Sequence, residues 1–299
     1  MFKINNIPIN VNKFPDGTQC IMDFNEFIIY TNYENIAPYY EIVWLYESDE
    51  EVFTLMCLVN HIRDNHKYSN NLTINLILSY VPNSRMDRVH SIKEIFTLKH
   101  FTRFINSLTF NKVGVFDVHS NVTLALIDRV YDLKKVDECV TESLLKITDV
   151  NQGDCFDDIV LYFPDEGAYK RYKNFSFTKG RKFYYGKKTR DWDTGNILGL
   201  EVYNDRDEKV NETDVKDKIF LMIDDIISYG GTMAYSADKL KELGAKQIYA
   251  YASHTENSVL NSEKGTFLKR LDYGTIDGLF TTNSIYKGSH PRISVIHIF

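Results

Sequence analysis

Residues 220–232 read FLMIDDIISYGGT, and this stretch decides the fold. Phe220–Ile223 is an apolar run with the look of a buried strand, and it runs directly into two carboxylates, Asp224 and Asp225. An apolar pair follows, then Ser228, Tyr229, Gly230, Gly231 and Thr232 at the start of a helical pattern. A helix start preceded by glycines offers free N–H groups and the positive end of the helix dipole to an anion. Gly230 and Gly231 let the backbone approach that anion closely, and Thr232 adds a hydroxyl donor. Asp224 and Asp225, at the end of the strand, suit ribose hydroxyls or a Mg²⁺ shell.

The flanking sequence supports a strand–helix alternation. Thr232–Leu243 reads as a helix stopped by Gly244, and Gln247–Ala252 returns as a strand. Upstream, Asp158–Phe163 and Lys218–Ile223 are strands, whereas polar Tyr203–Val215 reads as a solvated loop. The first half repeats the theme. Glu41–Tyr46, Leu72–Tyr80 and Lys112–Val118 are strands, and Glu94–Ser107 is helical. Between the first two strands, Val52, Leu55, Met56, Val59 and Ile62 give a helix one apolar face, and Ser48 with Glu51 offers a capping box. Such alternation builds parallel sheets through right-handed crossovers. The 299 residues suit two domains at about 150 residues each, with the division expected near residue 148, giving 1–148 and 149–299.

Composition narrows the function. The apolar fraction of 43% and charged fraction of 25% exclude a fully disordered chain. A net charge of −6 argues against a dedicated nucleic-acid-coating protein. The 4 cysteines, Cys20, Cys57, Cys139 and Cys155, form no CxxC and read as isolated reduced thiols. No run approaches the ~18 apolar residues of a membrane span, and the start, MFKINNIPIN, has no signal-peptide core. A cytoplasmic protein is therefore expected, with no membrane or nucleic-acid partner. The richness in Asn, Tyr, Ile and Lys suggests an AT-rich genome.

Residues 220–232 resemble the phosphoribosyl-pyrophosphate loop shared by type I phosphoribosyltransferases and ribose-phosphate pyrophosphokinases. Further segments, in order, resemble the second family. Phe14–Thr18 (FPDGT) resembles a segment that reaches ATP from a neighbouring subunit, and Tyr80–Arg88 (YVPNSRMDR) resembles an ATP-binding stretch. Phe116–Ser120 (FDVHS) resembles a metal- and ATP-contacting motif. Pro164–Gly167 (PDEG) resembles a cation-holding turn, and Gly186–Arg190 (GKKTR) a mobile catalytic loop with a Lys-x-Arg pair. Ser253-His254 and Thr282–Ile285 match two later family positions.

The resemblance implies an α/β fold of two tandem type I phosphoribosyltransferase-like domains, each a mainly parallel sheet flanked by helices. It implies transfer of the β,γ-diphosphate of ATP to the anomeric hydroxyl of a ribose 5-phosphate unit, with Mg²⁺. Carried over residue by residue, Lys188, Arg190 and Asp224 are catalytic. Asp16, Thr18, Arg85, Met86, Asp87, Arg88 and His119 bind ATP, and His119, Asp165 and Asp117 hold the metal. Asp224, Asp225, Ser228, Tyr229, Gly230, Gly231 and Thr232 hold ribose and phosphate. A homo-oligomer is implied, because ATP sites in the family are shared across subunits.

The chain departs from the family at Ser228-Tyr229, where Asp-Thr is usual and the Thr meets a terminal 5-phosphate. It also lacks the family's usual first strand and helix and its last helix. These changes resemble phage-encoded relatives that diphosphorylate ADP-ribose for NAD synthesis, in the host cytoplasm. On this ground ADP-ribose is favoured over ribose 5-phosphate as acceptor. A phosphoribosyltransferase and a non-catalytic associated subunit are the readings from other classes.

Overall fold

Alternating apolar residues on short runs bounded by turns make two parallel-dominated α/β sheets. A computed structural model describes residues 1–22, 24, 37–66, 71–151, 156–190 and 197–299, with the side chains of 188–190, 197 and 198 excepted. Cys155 lies outside the described residues. The chain divides into two compact units, Met1–Lys134 with Phe299, and Lys135–Ile298.

The first unit begins with β1 (Phe2–Ile4), β2 (Ile7–Ile9) and the small hairpin of β3 (Val11–Lys13) and β4 (Gln19–Ile21). Then come β5 (Tyr39–Trp44), α1 (Glu51–Asn65), β6 (Thr73–Leu78), α2 (Thr97–Ser107), β7 (Lys112–Val115), α3 (Asn121–Leu126) and β8 (Val130–Asp132). The sheet order is β2-β1-β5-β6-β7-β8. Strands β5 to β8 run parallel, and β1 and β2 close one edge antiparallel. Strand alternation sends Tyr40, Ile42 and Trp44 to one face, where Leu55, Leu58, Val59 and Ile62 of α1 bury them.

Helix α1 starts differently from the expected capping box. Its N-cap is Glu50, with no side-chain cap bond. The Glu51 carboxylate instead accepts from Trp44 Nε1 and Glu47 N, both at 2.8 Å, so it is unavailable to Ser48.

The second unit runs α4 (Val136–Val150), β9 (Val160–Phe163), α5 (Glu166–Tyr172), β10 (Phe183–Arg190), β11 (Ile197–Asn204) and α6 (Glu212–Val215). It continues with β12 (Ile219–Ile227), α7 (Gly231–Glu242), β13 (Gln247–Thr255), α8 (Thr266–Asp272), β14 (Gly278–Thr282) and β15 (Ile293–Ile296). The sheet order is β11-β10-β9-β12-β13-β14-β15, parallel except for the β10–β11 hairpin. The expected division at residue 148 falls inside α4, which belongs to the second unit.

Tyr203–Val215 is more ordered than a solvated loop. Asn204 Oδ1 accepts from Arg206 N and Glu208 N, each at 2.9 Å. Asn211 and Asp214 form a capping box that starts α6, a signal present in the sequence as Asn-x-x-Asp.

Candidate active site

In both units many of the residues singled out by sequence leave the C-terminal ends of parallel strands. Open α/β sheets bind ligands there, because strand ends and helix starts bring side chains and free N–H groups together. Asp165 follows β9, Asp224 and Asp225 end the apolar part of β12, and His254 lies near the end of β13.

Strand β12 is buried between β9 and β13, its first five residues all apolar. Asp224 and Asp225 stand side by side at its end, close enough for their carboxyl groups to interact. Asp225 is 4% exposed, and its Oδ2 pairs with Arg171 Nη1 of α5 at 2.7 Å. Asp224 Oδ1 accepts from Asp225 N at 2.9 Å. Burial first, then the charges of Asp225 and Asp165, pushes the Asp224 carboxyl well above the ordinary carboxylate value. Asp224 is thus a carboxyl that gains from sugar hydroxyls or a cation, whereas Asp225 already has one.

The loop from Ser228 to Thr232 turns sharply into α7. Gly230 is its N-cap at φ +76°, a left-handed conformation, and no side chain caps the helix. A Cβ there would overlap the Phe267 Cβ and lie 3.0 Å from its Cγ, so glycine is required on two counts. Helix α8 holds the loop from outside: Phe267 N and Thr266 Oγ1 both donate to Tyr229 O, at 3.1 and 3.0 Å. The start of this 12-residue helix, with no side-chain cap at Gly230, is oriented for an anion. The Tyr229 side chain is 41% exposed.

Asp165 caps α5, its Oδ1 accepting from Gly167 N at 3.0 Å and Ala168 N at 3.1 Å. Gly186 passes so close to the Pro164 carbonyl that a Cβ would lie 2.7 Å from it, which packs β10 tightly on the turn before α5. Lys188 and Arg190 lie at the end of β10, in register with Leu200 and Ile197 of β11, with a β-bulge between Thr189 and Arg190. Over Gly186–Arg190 the segment expected as a mobile loop is a paired strand.

The first unit carries the remaining candidates. Asp16 and Thr18 form the exposed turn between β3 and β4. There the Thr18 hydroxyl and backbone N–H both donate to Asp16 Oδ1, at 2.7 and 2.9 Å, and hold its carboxyl below the usual value. Arg85, Met86, Asp87 and Arg88 follow β6; Arg85 and Arg88 are exposed, and Arg88 Nε lies 3.1 Å from Asp87 Oδ1. Asp117 and His119 follow β7, which pairs with β6 in register Leu78 to Val115, so the two stretches leave neighbouring strand ends. Asp117 is 7% exposed with φ +40°.

Among the described residues no three His, Cys, Asp or Glu side chains gather as a metal cage. Sequence reasoning missed Arg171 and Thr266. Arg171 lies far from Asp225 in sequence and meets it only through the packing of α5, a contact without a local signal.

The phosphoribosyl transferase domain family matches residues 176–269, which contain the loop. The chain is 25% identical to a ribose-phosphate pyrophosphokinase of Pyrococcus abyssi, over 84% of this chain and 77% of that one. It is 26% identical to that of Thermoplasma volcanium, over 92% and 86%. Along most of its length the chain is similar to ribose-phosphate pyrophosphokinases. The likeness extends to fold: a phosphoribosylpyrophosphate synthetase from Mycobacterium smegmatis superposes with a TM-score of 0.68, covering 97% of this chain and 86% of that one at 18% identity. The expected pair of phosphoribosyltransferase-type α/β domains agrees with this fold, and an enzyme of the pyrophosphokinase kind agrees with the named relatives. No helix among the described residues is long and apolar enough to cross a membrane.

Proposed function

We propose that this protein is a ribose-phosphate pyrophosphokinase, moving the β,γ-diphosphate of ATP to the anomeric hydroxyl of ribose 5-phosphate and releasing AMP. The observation that carries the reading is the uncapped start of α7 beside the carboxyl of Asp224, a phosphate seat and a hydroxyl seat on one strand end. The N–H groups of the Gly230–Thr232 turn and the Thr232 hydroxyl hold the 5-phosphate. Asp224 accepts from ribose hydroxyls, and Asp225, neutralised by Arg171, fixes the strand end in place.

The anomeric hydroxyl attacks the β-phosphorus and gives up its proton to water, the bond from that phosphorus to the α,β-bridging oxygen breaks, and AMP leaves with that oxygen. Diphosphoryl transfer is catalysed mainly by alignment and charge neutralisation, the roles proposed for Lys188 and Arg190. Asp16, Thr18, Arg85, Met86, Asp87, Arg88 and His119 are the residues proposed for ATP, and a homo-oligomer follows from the same family reading. Asp117, His119 and Asp165 are the residues that would hold Mg²⁺, which would neutralise charge on the ATP phosphates.

The substitution at Ser228-Tyr229 favoured ADP-ribose as acceptor. The relatives, named as ribose-phosphate pyrophosphokinases along most of the chain, support ribose 5-phosphate better. The exposed Tyr229 ring keeps ADP-ribose as the second reading. Incubation with ATP and Mg²⁺ plus either sugar, followed by chromatography of the nucleotides, decides between them. AMP with ribose 5-phosphate is expected. AMP with ADP-ribose alone would replace the acceptor, and AMP with neither would refute diphosphoryl transfer.

A further inference from the structure

Strand β10 pairs with β9 only over Phe183–Tyr185, whereas its pairing with β11 continues from Tyr184 to Arg190. Gly186–Arg190 and their partners on β11 therefore form a two-stranded arm beyond the end of β9, and this arm carries Lys188 and Arg190. Two strands alone are marginal, so the root of the arm needs an anchor. Tyr185 stands opposite Tyr203 and Lys187 opposite Glu201, as cross-strand neighbours. The Lys187 ammonium lies 4.2 Å from the centre of the Tyr203 ring and 5.6 Å from that of Tyr185. In the turn after β11, the Asp207 carboxylate accepts from both the Lys187 ammonium and the Tyr185 hydroxyl, and these donors, Lys187 first, hold its carboxyl below the usual value. Asp207 is itself fixed by its turn: its N–H donates to Asn204 O at 3.1 Å, and Asn204 Oδ1 accepts from Arg206 N and Glu208 N. Tyr185, 4% exposed, stacks on Tyr169 of α5, with 4.3 Å between ring centres and 9° between planes. The contacts thus run from the arm to α5, the helix capped by Asp165. An isolated surface ion pair contributes little, but here one carboxylate takes two donors and the cation lies over two rings.

We propose that Asp207 and Tyr185 are positioning residues for the diphosphoryl transfer. By holding Lys187 at the root of the arm, they fix the backbone that carries Lys188 and Arg190, and with it the place where those residues meet the phosphates. Alignment is most of what such a transfer asks of a protein. The two adjacent lysines divide the work: Lys187 anchors the arm, and Lys188 serves the substrate. The proposal rests on the function proposed above. Neither Tyr185 nor Asp207 belongs to the segments that carry the family resemblance.

The test reads two quantities in Asp207→Ala, Asp207→Glu and Tyr185→Phe: hydrogen exchange of peptides covering the arm, and steady-state AMP release from ATP, Mg²⁺ and ribose 5-phosphate. Asp207→Ala should speed exchange of the arm on the order of tenfold, with the rest of the second unit unchanged. It should lower kcat on the order of tenfold and leave the KM for ribose 5-phosphate within about twofold, because the start of α7 is untouched. Asp207→Glu restores the charge and should recover most of kcat. Tyr185→Phe removes one hydroxyl from the cluster, should shift both quantities the same way by less, and serves if Asp207→Ala does not fold. Wild-type kcat in both Asp207→Ala and Tyr185→Phe overturns the positioning role. So does a fall in kcat with arm exchange unchanged, or a rise in KM that matches the fall in kcat. Unchanged exchange in Asp207→Ala, with the wild type releasing AMP, refutes the anchor alone. No AMP release from the wild type refutes the proposed reaction and the positioning role with it, so the two failures are told apart.

Discussion

Gly230→Ala puts the phosphate loop under a load that the structure allows to be sized. Position 230 has φ +76°, where an L-residue with a Cβ costs about 1–2 kcal/mol. The new methyl also overlaps the Cβ of Phe267, a fully buried side chain, and lies 3.0 and 3.1 Å from its Cγ and Cδ2. Cβ is fixed to the backbone, so relief requires α8 to shift. A shift would break the bonds from Phe267 N and Thr266 Oγ1 to Tyr229 O. Overpacking of this kind costs about 1–3 kcal/mol. Together the two effects amount to about 3 kcal/mol, local to β12, α7 and α8. Hydrogen-exchange mass spectrometry reads it unit by unit. Peptides of residues 219–242 and 266–272 should exchange on the order of a hundredfold faster, at about 1.4 kcal/mol per factor of ten, with peptides of the first unit unchanged. Phosphate binding should fall with it. Acceleration below about fivefold would mean the loop relaxes freely and would refute the claim that α8 clamps it.

Asp224→Asn should stabilise the second unit at pH 7 while abolishing turnover. Because folding raises the Asp224 pKa, the native state favours the protonated form; its contribution is fully present below the unfolded value of 3.8 and is lost as pH rises through the native value. The thermal advantage of the variant should vanish near pH 3 and grow toward neutrality. Arg171→Ala leaves the Asp225 carboxylate buried without its cation and should cost about 3 kcal/mol in urea unfolding, with a loss under 1 kcal/mol counting against a structural pair. Lys188→Ala should cut the rate of AMP release by orders of magnitude with the unfolding midpoint retained. Burial pushes the Cys139 thiol up to about 11, so iodoacetamide at pH 8 should leave it unmodified in the native protein, as peptide mass spectrometry would show.

What the sequence disclosed was what depends on neighbours along the chain. The apolar run into Asp224-Asp225, the glycine pair and the helix beyond are all local, and strand and helix lie where the pattern put them, β12 extending further to Ile227. Local signals also misled when a distant group competed for the same atom. Ser48 and Glu51 have capping-box spacing, yet the indole of Trp44 takes the Glu51 carboxylate first. Asn211 and Asp214 carried a true capping box inside a segment whose polarity suggested only a loop. The pairings that tune the candidate site were beyond local reading. Arg171 to Asp225 and Thr266 to Tyr229 span crossovers whose geometry is set by packing, and no composition or period announces them.

The two adjacent carboxylates show how one strand end serves structure and chemistry at once. Arg171 neutralises Asp225, whereas Asp224, with no cation partner among the described residues, is buried beside the charges of Asp225 and Asp165 and its pKa stays raised. An uncompensated carboxyl costs stability, and the fold tolerates it because β9, β12 and β13 pack around it as a buried parallel core. On the proposed reading, the substrate that relieves this cost brings hydrogen-bond donors to Asp224 and an anion to the start of α7. A ribose phosphate carries both, spaced across one sugar ring, and a free nucleobase or a plain phosphate carries only one of them.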